Sequence, residues 1–120
     1  MGDTRVGLVI EDDHDIRELV RVVLTQAGFE VRAASSGAEG VLAAKELDPA
    51  VITLDLGLPD IDGFEVARQI RASPGGERVL LVAITGWAQD ADKAASRVAG
   101  FDHHLTKPIE PDALIELLSS

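Results

Sequence analysis

Apolar residues along the chain come in short unbroken runs separated by longer, periodic stretches. Val6-Gly7-Leu8-Val9-Ile10 is one run, closed by three acids, Glu11-Asp12-Asp13. Ala50-Val51-Ile52-Thr53-Leu54 is a second, closed by a single acid, Asp55. Residues 79–84 form the most strand-like run, which breaks at Thr85-Gly86. Runs this short, apolar at successive positions, have the pattern of strands buried on both faces of a parallel sheet. Residues 29–34 and the region 103–105 offer two further short strands.

The intervening stretches have a helical period. Ile16, Leu19, Val20, Val23 and Leu24 recur at helical spacing between Asp13 and Gly28. Ser36 and Glu39 have capping-box spacing and open a second helix through Leu47, stopped by Asp48-Pro49. After the loop 57–63, Phe64, Val66, Ala67 and Ile70 mark a third helix, ended by Ser73-Pro74-Gly75-Gly76. Residues 88–99 are alanine-rich and helical in pattern, and 111–118 form a last helix entered through proline. Strand and helix alternate five times, which predicts a parallel sheet with helices on both faces and right-handed crossovers. No repeat, linker or low-complexity segment interrupts the alternation, so residues 1–120 read as a single domain with its core in 5–118.

Composition narrows the function. The chain is 46% hydrophobic and 27% charged, the balance of an ordinary folded core. No apolar run approaches the roughly 20 residues that span a bilayer, and no export signal opens the chain, so a cytoplasmic domain without membrane contact is expected. Cysteine is absent, which removes disulfides and thiol catalysis. The net charge of −10, with Lys and Arg scattered, argues against nucleic acid as a direct partner.

The chemistry follows from where the strands end. In a parallel α/β sheet, ligands bind outside the carboxyl ends of the strands, where strand order reverses. Acids 11–13, Asp55, Thr85-Gly86 and Lys107 each follow a predicted strand and so gather on that edge. Two carboxylates about 4 Å apart repel by roughly 4 kcal/mol at an effective dielectric near 20, and a divalent cation relieves this. Acids for Mg2+, a lone lysine for an anion and a threonine hydroxyl to donate to it are the equipment of phosphoryl transfer. No Walker loop, GxGxxG or GxSxG supplies a nucleotide or acyl cradle. The acceptor would then be a carboxylate, and Asp55 is isolated on its own strand.

From Arg5 to Leu118 the chain resembles a response-regulator receiver domain of two-component signalling. The motifs that carry the resemblance are Val9-Ile10-Glu11-Asp12-Asp13, Leu54-Asp55-Leu56-Gly57-Leu58-Pro59 with Asp62-Gly63, Ile84-Thr85-Gly86 and Thr106-Lys107-Pro108. The resemblance implies a flavodoxin-like, doubly wound (βα)5 fold with strand order 2-1-3-4-5. It implies that Asp55 accepts a phosphoryl group from a sensor histidine kinase or a histidine phosphotransfer protein. Asp12 and Asp55 would bind Mg2+ through their side chains, Glu11 mainly through water, and Gly57 through its carbonyl. Thr85 and Lys107 would each bond a phosphoryl oxygen and carry the switch, and Lys107-Pro108 would be a cis peptide. Such a domain is not an enzyme beyond catalysing its own phosphorylation and slow dephosphorylation.

Two positions depart from the family pattern, and both bear on lifetime and switching. Gly57 lacks the side chain that steers water in some members, and His104 stands where Tyr or Phe is common. Residues 85–90 and 100–105 resemble receivers attached to hybrid sensor kinases. Asp13 reads as a cap of the first helix, and Asp60 and Asp62 as turn residues bonding their own backbone. His103 and His104 point to opposite faces of a strand and cannot grip one ion. His14 reads as a surface helix start, and Trp87 as a side chain beside the pocket. The face including Ala94, Ala95, Ala99 and the last helix leads to an expectation of a monomer or weak dimer.

Two rival functions are weaker. A haloacid-dehalogenase-type phosphatase also uses an aspartyl nucleophile, but it needs a second acid where Gly57 stands. A non-phosphorylated pseudo-receiver requires a broken pocket, yet every expected side chain is present.

Overall fold

The computed structural model describes residues 5–86 and 100–119. Five parallel strands, β1 (Val6–Ile10), β2 (Glu30–Ala34), β3 (Val51–Asp55), β4 (Leu80–Thr85) and β5 (His103–Thr106), form one sheet in the order β2-β1-β3-β4-β5. Helices α1 (His14–Gln26), α2 (Gly37–Leu47), α3 (Gly63–Ala72) and α4 (Pro111–Ser119), with a short 3-10 turn at Gly76–Arg78, complete the described elements. This is the flavodoxin-like, doubly wound arrangement. The helix expected over 88–99, with Trp87, Ala94, Ala95 and Ala99, lies outside the described residues.

Burial explains why the apolar runs became strands. All five residues of β3 and the last four of β1 are buried, because both strands sit inside the sheet with helices over each face. Side chains alternate between two cores. Leu8, Ile10, Ile52, Leu54 and Leu81 meet Val41 of α2 and Val66, Ala67 and Ile70 of α3. Val9, Val51, Val82 and Ile84 meet Val20, Val23 and Leu24 of α1 and Leu114 of α4. Each fully buried aliphatic side chain is worth about 1.5–3 kcal/mol, so these two layers hold the strand ends in register. The edge strand β2 is mostly exposed, which is why its signal in the sequence is weaker.

Local contacts then fix where each helix starts. Asp13 caps α1, its carboxylate accepting from the Ile16 N–H at 3.0 Å. Ser36 caps α2 by accepting from the Glu39 N–H at 3.2 Å. The returning half of the expected capping box is displaced by one residue, since the Glu39 carboxylate takes the Ser35 N–H at 2.8 Å. At the opposite ends of the strands, Arg71 donates to the carbonyls of Gly76, Val79 and Gly100 and to the Asp102 carboxylate. Asp102 also accepts the Leu81 N–H at 2.9 Å, so one guanidinium ties the end of α3 to the entries of β4 and β5.

Helix α2 approaches the sheet very closely at Gly40. A Cβ there would stand 2.5–2.9 Å from three side-chain carbons of Ile10. We therefore expect Gly40→Ala to cost about 1–3 kcal/mol by overpacking. In urea denaturation, Ile10→Val should recover part of that loss when combined with Gly40→Ala; fully additive losses would contradict the contact.

Candidate functional site

Strand β1 has β2 on one side and β3 on the other, so the connections diverge at the carboxyl ends of β1 and β3. A crevice opens there, as it does in open α/β sheets generally. Asp55 is the last residue of β3 and Thr85 the last of β4, while Glu11 and Lys107 each lie one residue beyond their strands. Backbone bonds continue the sheet to this edge: Glu11 N–H donates to the Ala34 carbonyl at 3.0 Å and Lys107 N–H to the Thr85 carbonyl at 2.7 Å. The resulting cleft, about 530 Å3, is lined by Asp12, Asp13, Asp55, Leu56, Gly57, Phe64, Thr85, Gly86 and Lys107.

Its electrostatics are those of crowded acids around one cation. Carboxylate oxygens of Glu11, Asp12 and Asp55 all lie within 4.8 Å of one another. The Lys107 Nζ stands 3.4 Å from Asp55 Oδ1 and 3.6 Å from Glu11 Oε2. Asp55 Oδ1 also accepts the Gly57 N–H at 3.0 Å, and Glu11 Oε2 the Asp13 N–H at 3.2 Å. Glu11 and Asp55 are buried, whereas Asp12 is exposed. Burial, and then a hydrogen bond with Asp55, push the Glu11 carboxyl up to about 8. Burial and the contact with Asp55 thus favour the protonated form of Glu11 against the opposing pull of Lys107.

Thus the fold brings together the expected Glu11, Asp12, Asp55, Gly57, Thr85 and Lys107. His104 does not line the cleft. It pairs with Ala83 two residues before Thr85, so Thr85 and His104 share one face of the sheet while His103 takes the other. Pro108 follows Lys107 through a cis peptide bond.

Some contributors were not foreseen. Phe64, expected only as a helix marker, forms part of the cleft wall and packs edge-to-face on Phe101, ring centroids 6.3 Å apart. Arg17 donates to the carbonyls of Glu11 at 3.1 Å and Asp12 at 3.4 Å, fixing the backbone of the acid loop. A basic residue one turn into a helix that begins just after the acids was the available signal. Asp60 reaches beyond its own turn: its carboxylate bonds the N–H groups of Gly37 and Ala38, at 2.9 and 3.0 Å, across more than twenty residues of sequence. Asp62 does act locally, capping α3 through the Phe64 N–H at 2.9 Å.

The donor set fits a hard divalent cation. Three carboxylates match the oxygen preference of Mg2+, and their mutual repulsion is what such an ion relieves.

A switch-point cleft of this kind, acids and one lysine on a 2-1-3-4-5 sheet, defines a phosphoacceptor signalling module. The chain belongs to the response regulator receiver domain family, whose model matches residues 8–119. It is 35% identical over 111 residues to an uncharacterized 14.6 kDa protein of Leptolyngbya boryana, covering 92% of this chain and 85% of that protein. It is 36% identical over 108 residues to the transcriptional regulatory protein GltR of Pseudomonas aeruginosa, covering 90% of this chain but 45% of that one. The chain therefore spans under half the length of such regulators. Among solved structures, chemotaxis protein CheY4 of Vibrio cholerae superposes with a TM-score of 0.91 at 27% identity, covering 97% of both chains. The receiver domain of the sensor histidine kinase PA1611 of Pseudomonas aeruginosa superposes at 0.87 with 28% identity, covering 97% and 95%. That structure has a magnesium ion coordinated in its active site cleft.

The raised Glu11 carboxyl has a definite sign in stability. Between pH 4.5 and about 8 the unfolded chain ionises Glu11 while the folded one keeps it protonated. This group's contribution is therefore complete below pH 4.5 and is lost as pH rises toward 8. In metal-free denaturation series, wild type should lose stability relative to Glu11→Gln across that window. Parallel profiles for the two proteins would refute the shift.

Proposed function

We propose that Asp55 is the phosphoacceptor of this receiver domain. The observation that carries the reading is the meeting of the buried Asp55 carboxylate with Lys107 at 3.4 Å inside a trio of acids. The donor is a phosphohistidine on a sensor histidine kinase or a histidine phosphotransfer protein. An Asp55 oxygen attacks phosphorus, the P–N bond to the donor imidazole breaks, and the electron pair leaves with the imidazole. The domain catalyses this step by positioning rather than by turning over a substrate, and slow hydrolysis of the acyl phosphate resets it.

The carboxylates of Glu11, Asp12 and Asp55 and the Gly57 carbonyl would hold Mg2+, which when bound neutralises charge on the transferring group. Lys107 moves its charge-assisted bond from Asp55 to a phosphoryl oxygen, and Thr85 donates its hydroxyl to another. Because the Thr85 carbonyl already accepts the Lys107 N–H, movement of either residue is passed to β5. The position of His104 on the Thr85 face of β5 supports a role for its side chain in following that movement. We take residues 1–120 as one receiver unit, cytoplasmic, monomeric or weakly dimeric, with no direct nucleic-acid or membrane contact. No described helix is long and apolar enough to cross a membrane.

Intact-mass measurement after acetyl phosphate and Mg2+ tests the reading. Wild type should gain one phosphoryl group, and Asp55→Asn none; a gain of the same size in Asp55→Asn would overturn it.

Lys107→Ala and Thr85→Ala should accept phosphate, the former slowly, without the conformational change. Amide chemical-shift changes on phosphorylation equal to wild type in both would contradict the assignment.

A further inference from the structure

Asp60 lies outside the cleft, and it joins the loop after β3, whose Leu56 and Gly57 line the cleft, to the start of α2. Its two carboxylate oxygens take the N–H groups of Gly37 and Ala38, the first two residues of α2. The third N–H of that turn, at Glu39, is taken by Ser36. Asp60 thus completes the capping of α2 from another loop, satisfying donors that the helix cannot satisfy itself. The two amides, Ala38 first, hold the Asp60 carboxyl below the usual range, so the contact is ionic at neutral pH.

The joint is built to close tolerance. A Cβ on Gly37 would lie 3.0 Å from Val66, 3.1 Å from Ile61 and 3.3 Å from Asp60 Oδ1, so glycine alone lets the loop seat on the helix. Three residues along, Gly40 brings α2 equally close to Ile10, directly before Glu11. Helix α2 is therefore a strut, packed on the end of β1 at one point and held by Asp60 at another. The loop it holds runs from Asp55 to the α3 cap, Asp62, and contains Gly57. Leu58 and Ile61 pack that loop into the core. The Leu56 N–H ties its start to the Ile84 carbonyl at 2.9 Å and the Gly57 N–H bonds Asp55, and Asp60 adds a polar tether toward its end.

We infer that Asp60 is a positioning residue for the metal site, setting the Gly57 main chain through the α2 N-terminus. This inference rests on the proposed Mg2+-dependent phosphorylation of Asp55 and deepens it. Freed of the tether, the loop would sample positions in which Gly57 is displaced from its place beside Asp55 in the cleft wall. Metal affinity should fall, while the rate at saturating metal should persist.

Calorimetric titration with Mg2+ alone, paired with phosphorylation by acetyl phosphate over a Mg2+ series, tests this. Asp60→Ala should weaken Mg2+ binding roughly tenfold, the size typical of residues that orient metal ligands. Asp60→Asn, which keeps one acceptor oxygen for one amide, should fall between it and wild type. Gly37→Ala disturbs the same seat from the helix side and should weaken Mg2+ with Asp60 intact, without adding to Asp60→Ala in the double variant. The half-saturating Mg2+ for phosphorylation should rise in step, with the plateau rate within about twofold of wild type. Mg2+ affinity unchanged in Asp60→Ala, or a lowered plateau rate at unchanged affinity, would overturn the inference. Failure of wild type itself to bind Mg2+ would instead overturn the reading of the site on which the inference rests.

Discussion

Crowding of like charge at one point on the sheet edge is the constraint around which this molecule is arranged. Glu11, Asp12 and Asp55 bring their oxygens within 4.8 Å of one another, two of them from buried positions. At that range each ionised pair repels by a few kcal/mol even in a well-screened site, a large fraction of a small domain's total stability. The fold answers with several partial remedies. Lys107 reaches between Asp55 and Glu11, Glu11 holds a proton, and the amides of Asp13 and Gly57 turn toward the carboxylates. None neutralises the trio, and the residual charge is what makes the site receptive to a cation.

Holding such a site requires stiffness in the elements beneath it and in the loops around it. The stiffness beneath comes from strands buried on both faces, whose apolar side chains alternate into two helix-covered cores. Around the rim it comes from polar ties to main-chain atoms, Arg17 on the carbonyls of the acid loop and Asp60 on the amides of α2, while Arg71 ties three carbonyls at the opposite ends of the strands. Arg17 and Arg71 use side chains on helices to fix loops, and Asp60 ties a loop to the start of a helix. Loops have no repeating hydrogen-bond pattern of their own, so their geometry depends on such contacts.

The same arrangement connects chemistry to shape. Thr85 and Lys107 sit at the cleft yet share a backbone hydrogen bond, so a group that draws either side chain also pulls on the joint between β4 and β5. His104 lies on that joint's Thr85 face, away from the cleft. The family to which the chain belongs is one of signalling modules, and the curated regulators it resembles run to about twice its length. In such a setting a response at the sheet edge matters only if it reaches an outer surface, and β5 is the edge strand through which this geometry can deliver it.

What the chain determined by itself was the alternation of elements and the identity of the polar groups that gather at the cleft. Unbroken apolar runs can only be strands covered on both sides, and each carried its polar residue at the end where a parallel sheet opens its crevice. Asp13 as a cap and Asp55 as the isolated acid follow from nearest neighbours alone, and both were legible. Asp60 was not. From its own neighbours, Pro59 and Ile61, it reads as a turn residue; only packing of α3 beside α2 brings the amides of Gly37 and Ala38 within its reach. Arg17 and Phe64 likewise have helical neighbours that explain them, and their place at the cleft comes from the loop and the helix folding back on the sheet. The protonation of Glu11 is of the same kind, since it depends on burial and on Asp55, forty-four positions away in the numbering. Short-range physics acts through bonds the sequence displays; desolvation and long-range hydrogen bonds exist only once the surfaces have met.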